Sequence, residues 1–387
     1  MKTKIENAKI IIGNGESYEH AAILFDENGI LEIGENAGEA DYVINGHGKT
    51  VLPGFIDCHV HPAGLGCTDE IEVAYRTYEG IRRLLRSGIT TARTVGTKYN
   101  ADVALRDMIC NKEAEGPAIK ACGEVICITC GHGAEVGIEC DTVGETLKAA
   151  RGLCKRKVDW LKFMPTSGVI GIGPSTVIQL SKEQIGAIIQ VGRTFATPTC
   201  AHIMNYEALI QCVEMGVTSV EHGYDMDETA ARLMVDRGTW YVPTTVVTLM
   251  ESTKIVPVNQ KEQELVEKAA EAQKKVRNAL KVAIKEKVKM AVGTDTGCPF
   301  TNPSTYAYAT ELYLYSISGM SNMDVITCAT KHGAEMLGID RYTGTLECGK
   351  QADITVVDGD PLEDIGAVKN IRHTFCAGKL LYSNIMA

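Results

Sequence analysis

Val51-Leu52-Pro53-Gly54-Phe55-Ile56-Asp57-Cys58-His59-Val60-His61 is an apolar run that ends in two histidines separated by one residue. An apolar run of this kind predicts a buried β-strand. Because side chains alternate between the two faces of a strand, His59 and His61 point the same way. Two imidazoles that converge from one rigid strand suit a divalent transition-metal ion. Since His-x-His also arises by chance, the metal interpretation depends on the rest of the chain.

Strand-like and helix-like segments alternate through the middle of the chain. Alternating β and α units predict a parallel sheet, and eight such units predict an α/β fold of the (β/α)8 TIM-barrel type. The predicted strands are residues 51–61, 89–95, 118–128, 158–164, 198–202, 218–222, 240–244 and 289–295. The predicted helices between them are residues 70–87, 101–115, 143–157, 181–195, 206–215, 227–237 and 259–287.

The two ends of the chain have a different character from the middle. Short β-type runs, broken by Gly, Asn and Asp turns, occupy residues 1–50 and return after residue 343. They predict one small β-sandwich domain built from both termini. The predicted division is residues 1–50 and 344–387 for the sandwich and residues 51–343 for the barrel.

Size and charge exclude several classes of protein. The 387 residues, 45% of them hydrophobic, suffice for a large barrel and a smaller domain. A net charge of −10 argues against a nucleic-acid or anionic-membrane partner. The chain has no export signal and no apolar run long enough to span a membrane, so we expect a soluble cytoplasmic protein. In that compartment the 14 cysteines, including the pair Cys127 and Cys130, are expected to be ordinary reduced thiols.

Further candidate metal ligands stand at the ends of the predicted strands. His202, His222 and Asp295 close the fifth, sixth and eighth strands, Lys162 lies in the fourth, and His132 follows the third. Taken singly, each has an ordinary structural explanation, such as a core histidine, a helix cap or a lysine that reaches the surface. Loops after the strand carboxyl ends form the active-site face of such a barrel. Together on one rim, these residues predict a metal site.

The whole pattern resembles the amidohydrolase superfamily. The resemblance rests on Pro-Gly-x-x-Asp-x-His-x-His in the first strand, the lysine of the fourth, the single histidines of the fifth and sixth, and the aspartate of the eighth. It is closest to the imidazolonepropionase-like and Xaa-Pro or Xaa-Arg dipeptidase (metal-dependent carboxypeptidase) group. The segments that carry this closer likeness are Gly131-His132-Gly133, Glu221-His222-Gly223-Tyr224 and Gly293-Thr294-Asp295-Thr296.

The resemblance implies two divalent metal ions, with Zn²⁺ as the default for a histidine-rich site. It assigns His59, His61 and Asp295 to the more buried ion, and His202 and His222 to the other. Lys162, carboxylated by CO2, would bridge the two. The chemistry agrees, because an ammonium group offers no lone pair to a metal. Burial favours the neutral amine, which can add CO2 to become a bidentate anion.

The resemblance also implies a reaction. A hydroxide between the two ions attacks a carbonyl carbon, and Asp295 acts as general base and then general acid toward the leaving nitrogen. Tyr224 would hydrogen-bond the developing oxyanion, and His132 would contact the substrate near the carbonyl. The predicted reaction is hydrolysis of a C–N amide bond in a small substrate, a dipeptide or an N-acyl amino acid.

Three alternatives remain open at this stage. A cyclic-amide hydrolase of the imidazolonepropionase type would differ from a dipeptidase in the chemistry of its pocket. A mononuclear deaminase is disfavoured, because Asn205 stands where those enzymes carry a glutamate and because Lys162 is present. A non-catalytic scaffold would not need all six ligand types. A dipeptidase needs a cation near the substrate carboxylate, and Arg93 is either that cation or a structural ion-pair partner. The sequence leaves open the substrate, the metal and whether the protein is a homo-oligomer.

Overall fold

Strands from both ends of the chain lie in one mixed sheet. The computed structural model describes residues 1–35, 37–64, 66–170, 173–254, 256–297 and 306–384. The sheet runs in the order β17-β16-β15-β5-β1-β2-β3, and β4 pairs with β1. Its strands are β1 (Thr3–Ile11), β2 (Ser17–Asp26), β3 (Gly29–Gly34), β4 (Tyr42–Asn45), β5 (Lys49–Pro53), β15 (Ile354–Asp358), β16 (Ile371–Cys376) and β17 (Lys379–Ser383).

The middle of the chain forms two parallel sheets. The first has the order β6-β7-β8 and the second the order β10-β9-β11-β12-β13-β14. Their strands are β6 (Phe55–Val60), β7 (Ile89–Thr94), β8 (Ala118–Lys120), β9 (Val125–Cys127), β10 (Gly137–Glu139), β11 (Leu161–Phe163), β12 (Thr199–Ile203), β13 (Ser219–His222) and β14 (Trp240–Val242). Most are buried along their whole length, as expected for parallel strands covered by helices.

Helices connect and follow these strands. They are α1 (Glu70–Leu84), α2 (Ala101–Cys110), α3 (Val143–Lys155), α4 (Lys182–Thr194), α5 (Tyr206–Met215), α6 (Glu228–Arg237), α7 (Thr245–Lys254), α8 (Gln260–Glu286), α9 (Tyr306–Ile317), α10 (Asn322–Thr327) and α11 (Gly333–Leu337). The prediction of an α/β fold with parallel sheets is therefore confirmed. No helix among the described residues is both long and apolar enough to cross a membrane.

Two predicted strands are each broken by a glycine. The segment 51–61 is not one strand, because β5 belongs to the mixed sheet and β6 to a parallel sheet. The break falls at Gly54, where a Cβ atom would lie 2.1 Å from the Thr90 hydroxyl oxygen. The segment 118–128 is likewise two strands, separated by a turn in which Gly123 has a φ of +67°. A left-handed residue of this kind cannot continue a strand.

The segment 289–295 is not the continuous eighth strand of the prediction. It forms isolated bridges, one between Met290 and Tyr241 and one between Thr296 and Val60. Its backbone nonetheless hydrogen-bonds to both neighbours, since Ala291 N–H donates to Tyr241 O on β14 and Cys58 N–H on β6 donates to Val292 O. The segment thus lies between the outer strands of the two parallel sheets. The extended conformation of this segment ends at Asp295, which has a φ of 55°.

Candidate active site

The carboxyl ends of the parallel strands surround a pocket of about 280 Å³. Every residue that the sequence assigned to the site lines this pocket. These residues are His59, His61, His132, Lys162, His202, His222, Tyr224 and Asp295. The strand ends therefore bring together side chains that are up to 236 positions apart in the sequence, from 59 to 295.

One carboxylate lies at the centre of the buried histidines. The Oδ1 atom of Asp295 is 3.4 Å from His59 Nε2 and 3.2 Å from His61 Nε2. His59, His222 and Asp295 each offer a ligand atom within 4.8 Å of the others, and all three are buried. Nitrogen and oxygen donors at this spacing can bind one divalent ion.

Two of these side chains reach the site through unusual backbone conformations. His222 has a φ of 68° and Asp295 a φ of 55°, both in the left-handed region that non-glycine residues rarely adopt. Successive side chains of a regular strand point to opposite faces. The turn at His222 lets its side chain enter the pocket. Glu221, its neighbour on β13, contacts His59 instead. Such conformations cost about 1–3 kcal/mol each and cluster at functional sites.

Hydrogen bonds fix which nitrogen of three histidines faces the pocket. His59 Nδ1 is 2.7 Å from Glu221 Oε2, and His61 Nδ1 is 3.3 Å from the carbonyl oxygen of Gly96. His222 Nδ1 is 2.7 Å from Thr244 Oγ1, a hydroxyl that itself donates to Pro243 O. Each partner accepts, so Nδ1 carries a proton and Nε2 is the nitrogen that faces the pocket. This is the arrangement that orients metal-binding histidines.

His202 has the opposite arrangement. Its Nε2 lies 3.1 Å from the carbonyl oxygen of Ser167, so Nε2 carries the proton and Nδ1 keeps the lone pair. Its ring centre lies 4.2 Å from that of His132 and 4.5 Å from that of His222. Lys162, on β11, is buried in the same pocket.

Burial keeps three of the imidazoles uncharged. Burial and then the neighbouring His132 and His222 hold the pKa of His202 well below its ordinary value. Burial and then His59 do the same for the pKa of His222. Burial lowers the pKa of His132 to about 4. Neutral imidazole is the form that binds metal ions.

Arg93 does not reach the pocket. Its side chain is fully buried, and its Nη2 donates to both carboxylate oxygens of Glu221 at 2.8 Å. The interpretation of Arg93 as the cation for a substrate carboxylate is therefore wrong, and its alternative, a structural ion-pair partner, is correct. Sequence reasoning missed Glu221, although Glu221 stands directly before His222. The Arg93–Glu221 contact joins β7 to β13 and cannot be inferred from spacing along the chain.

Cys130 is not an ordinary core thiol. It is exposed and lines the pocket, whereas Cys127 is buried. Cys130 has a φ of 59° in the turn that precedes Gly131, and this turn carries its side chain away from the core. The described cysteines form no disulfide, as expected for reduced thiols.

Part of the pocket lining is apolar. Among the lining residues that the structure describes, Glu135 is the one charged side chain outside the predicted ligand set, and Lys162 is the one Lys or Arg. The pocket therefore favours a substrate with an apolar group. The apolar lining residues are Val136, Met164, Val169, Ile170, Met204 and Val247.

Buried imidazoles around one carboxylate, at the carboxyl ends of parallel strands, form the donor set of a metal-dependent hydrolase. The model of the amidohydrolase family matches residues 50–381, and the chain belongs to this family. It is an enzyme that hydrolyses carbon–nitrogen bonds, and the family generally uses divalent metal ions.

Three relatives illustrate the range of the family. The chain is 26% identical to the ochratoxinase of Aspergillus niger, over 96% of this chain and 85% of that protein. It is 24% identical to the imidazolonepropionase of Mesorhizobium japonicum, over 83% and 81% of the two chains. A crystal structure of a Xaa-Pro dipeptidase with bound methionine is 27% identical, has a TM-score of 0.89 and covers 99% of this chain and 100% of its own.

Proposed function

We propose that this protein is a binuclear metal-dependent amidohydrolase that cleaves the C–N amide bond of a small substrate, an N-acyl amino acid or a dipeptide. The observation that carries the proposal is the orientation of three histidines. His59, His61 and His222 have their Nδ1 atoms hydrogen-bonded to acceptors, so that Nε2 is the atom each ring offers to a metal ion. A purely structural cluster of histidines would not require this common orientation.

The proposal includes the finer architecture. The segment 289–296, which hydrogen-bonds to β6 and β14, would close the two parallel sheets into a (β/α)8 barrel. The sheet of both termini would belong to a β-sandwich domain, with the divisions 1–50, 51–343 and 344–387. A cytoplasmic location also stays a prediction.

The residues divide into two ligand sets. His59, His61 and Asp295 would hold one divalent ion, Zn²⁺ by default. His222 through Nε2 and His202 through Nδ1 would hold the other. Lys162 would bridge the two as its carbamate, since an ammonium in this position would repel both ions. When bound, the ions supply a nucleophilic hydroxide and polarise the substrate carbonyl.

The protein side chains carry the proton transfers and hold the substrate. Asp295, which contacts both His59 and His61, would accept the proton of the attacking hydroxide and deliver it to the leaving nitrogen. Tyr224, whose ring centre is 5.8 Å from that of His222, hydrogen-bonds the oxyanion that develops on the carbonyl oxygen. His132 donates from Nδ1 to Ile170 O, which leaves its Nε2 available to a substrate N–H near the carbonyl.

The pocket favours an apolar acyl group or side chain. The relatives named above include an ochratoxinase and a Xaa-Pro dipeptidase, both consistent with amide hydrolysis. A substrate carboxylate would not be bound by Arg93, which is buried against Glu221. The second candidate, a cyclic-amide hydrolase, is favoured by the likeness to an imidazolonepropionase.

Metal content and one lysine variant test the proposal. We expect about two divalent ions per chain after gentle purification, measured by inductively coupled plasma mass spectrometry. Lys162→Ala should lose bound ions and at least a thousandfold of kcat/KM, as an order-of-magnitude expectation for a lost two-metal site. Lys148→Ala, at an exposed position of α3, is the matched control and should keep both.

Two results would contradict the proposal. Full activity in Lys162→Ala would exclude the bridging lysine, and a metal-free active enzyme would exclude the metal mechanism. A screen of the metal-loaded protein against N-acyl amino acids, dipeptides and imidazolones then separates the two candidates, because activity on imidazolones alone would favour the cyclic-amide hydrolase.

A further inference from the structure

Arg93, Glu221 and His59 form a buried chain of contacts behind the candidate metal site. Arg93 and Glu221 are both 0% exposed, and neither is among the residues that line the pocket. Glu221 Oε2 is 2.7 Å from His59 Nδ1 on one side, and both its oxygens accept from Arg93 Nη2 on the other. Arg93 lies on β7, Glu221 on β13 and His59 on β6.

We propose that the Arg93–Glu221 pair positions the metal centre in two ways. Glu221 fixes the tautomer and the ring orientation of His59, and Arg93 keeps Glu221 from becoming a metal ligand itself. This inference rests on the proposed function, because it assigns a role toward the ion that His59 would hold. Neither residue touches the substrate or the reacting atoms, so both act through His59.

The first half of the role follows from the bond to His59. A carboxylate can only accept, so Glu221 holds a proton on Nδ1 and turns Nε2 toward Asp295, where the ion would lie. A carboxylate partner also makes the imidazole a stronger donor to a metal ion than a carbonyl partner does. Of the three predicted metal ligands held through Nδ1, His59 is the one with a carboxylate partner.

The second role, that Glu221 does not bind the metal itself, follows from the hydrogen bonds that both of its carboxylate oxygens accept. Oε1 accepts from Arg93 and from the Ser219 hydroxyl, and Oε2 accepts from Arg93 and His59. A buried carboxylate beside a divalent ion would otherwise compete with Asp295 for that ion. The guanidinium neutralises the charge and occupies the lone pairs, so the carboxylate stays behind the imidazole.

Arg93 is itself held from several sides. Its Nε donates to Cys58 O at 2.6 Å, its Nη1 donates to Ser219 Oγ at 3.0 Å, and its guanidinium lies 4.6 Å from the ring centre of Trp160. Cys58 directly precedes His59, so one guanidinium connects the backbone beside the ligand to the carboxylate that orients its ring. A lysine has a single nitrogen and cannot make these contacts together.

Metal affinity measured on folded variants tests this role. We would titrate Zn²⁺ against a chromophoric chelator and record the visible spectrum of the Co²⁺-loaded protein, for wild type, Glu221→Gln and Arg93→Lys. Both variants should bind the tighter ion about 10–100-fold more weakly, the usual effect of losing such a partner. The Co²⁺ spectrum should change as well, because the His59 ring is no longer fixed.

Glu311→Gln is the matched control. Glu311 is an equally buried carboxylate, but it accepts from the backbone N–H groups of Thr245 and Val246 and touches no predicted ligand. This variant should keep the wild-type metal affinity and Co²⁺ spectrum. If it loses affinity as much as Glu221→Gln does, the effect is general destabilisation and the positioning role is refuted.

A double variant covers the case in which Glu221→Gln does not fold. Arg93→Met combined with Glu221→Met removes both charges with little change in volume, a replacement that folds in other buried pairs. It should fold and still bind the tighter ion about 10–100-fold more weakly. Wild-type affinity in any folded variant that lacks Glu221 would overturn the inference. If wild type then still binds divalent ions and hydrolyses amides, only the positioning role is refuted and the proposed function stands. A wild type that binds no divalent ion would refute both the positioning role and the proposed function.

Discussion

Glu221 and Glu311 are two carboxyl groups with no solvent exposure, and their pKa values shift in opposite directions. Burial raises the pKa of Glu221, but the Arg93 guanidinium and His59 lower it far more, and it ends well below its ordinary value. Burial raises the pKa of Glu311 to about 8, and the two backbone N–H groups at the start of α7 offset this only in part. A guanidinium therefore keeps a buried carboxylate ionised, whereas peptide dipoles alone leave it protonated near neutral pH.

The two glutamates support different walls of the pocket. Glu221 stands behind His59, on the side of the predicted metal ligands. Glu311 holds the first turn of α7, whose residues Val247 and Thr248 also line the pocket. The predicted ligand His59 thus rests on a fixed charge pair, and α7 rests on a carboxyl group that gains or loses a proton.

The largest effect should come from removing the charge that Glu221 requires. Arg93→Met leaves a buried, unpaired carboxylate and should reduce the free energy of unfolding by about 3–5 kcal/mol. Urea denaturation of the metal-free protein measures this loss. Adding Glu221→Met should recover most of the loss, because the unpaired charge is then gone. Equal unfolding midpoints for Arg93→Met and wild type would mean that Glu221 does not depend on Arg93 for its charge.

A smaller effect should appear as a pH dependence of stability from Glu311. Its folded pKa, about 8, lies above the ordinary value of 4.5, so its protonated form is the one that the fold favours. Its contribution to stability is fully present below pH 4.5 and is lost as the pH rises toward 8. Glu311→Gln cannot ionise, so wild type should lose stability relative to this variant between pH 5 and pH 8. Parallel unfolding curves for the two proteins would contradict a proton on Glu311.

The smallest effect should come from Ser219→Ala. The Ser219 hydroxyl accepts from Arg93 and donates to Glu221, but the two charged groups keep each other as partners without it. We expect a loss of about 1 kcal/mol in thermal or urea unfolding, the usual net value of a hydrogen bond. A loss as large as that of Arg93→Met would mean that the pair is held by its hydroxyl rather than by its opposite charges.

Local sequence patterns and the family resemblance together found eight of the side chains that line the pocket. The apolar strands and the candidate ligands at their ends follow from periodicity and from residue type, whereas Tyr224 came from the resemblance. The limits of several helices also followed, and Tyr206–Met215 coincides with the predicted range. Asn205 caps the first turn of this helix and Gly216 ends the last, so the residues next to the helix determine both of its ends.

Contacts between distant segments were beyond the reach of the sequence. The partner of Arg93 stands 128 positions away, and the pairing depends on which strands become neighbours. Helix α7 was not predicted, because it begins with Thr245, Val246 and Val247, and β-branched residues favour strands. Its first turn depends on Glu311, which lies 66 and 65 positions from the two N–H groups that it accepts.

The break at Gly54 has a consequence for how the protein is made. β6, which carries His59, follows β5 after this single residue, and β5 lies between β1 and β15. During synthesis β1 is available before β5, whereas β15 begins only at Ile354. The strand that anchors the first histidine pair therefore lacks one of its two neighbours until residues 354–358 have been made. The candidate site completes its support only after β15 has emerged, so nascent chains truncated before residue 354 are not expected to form it.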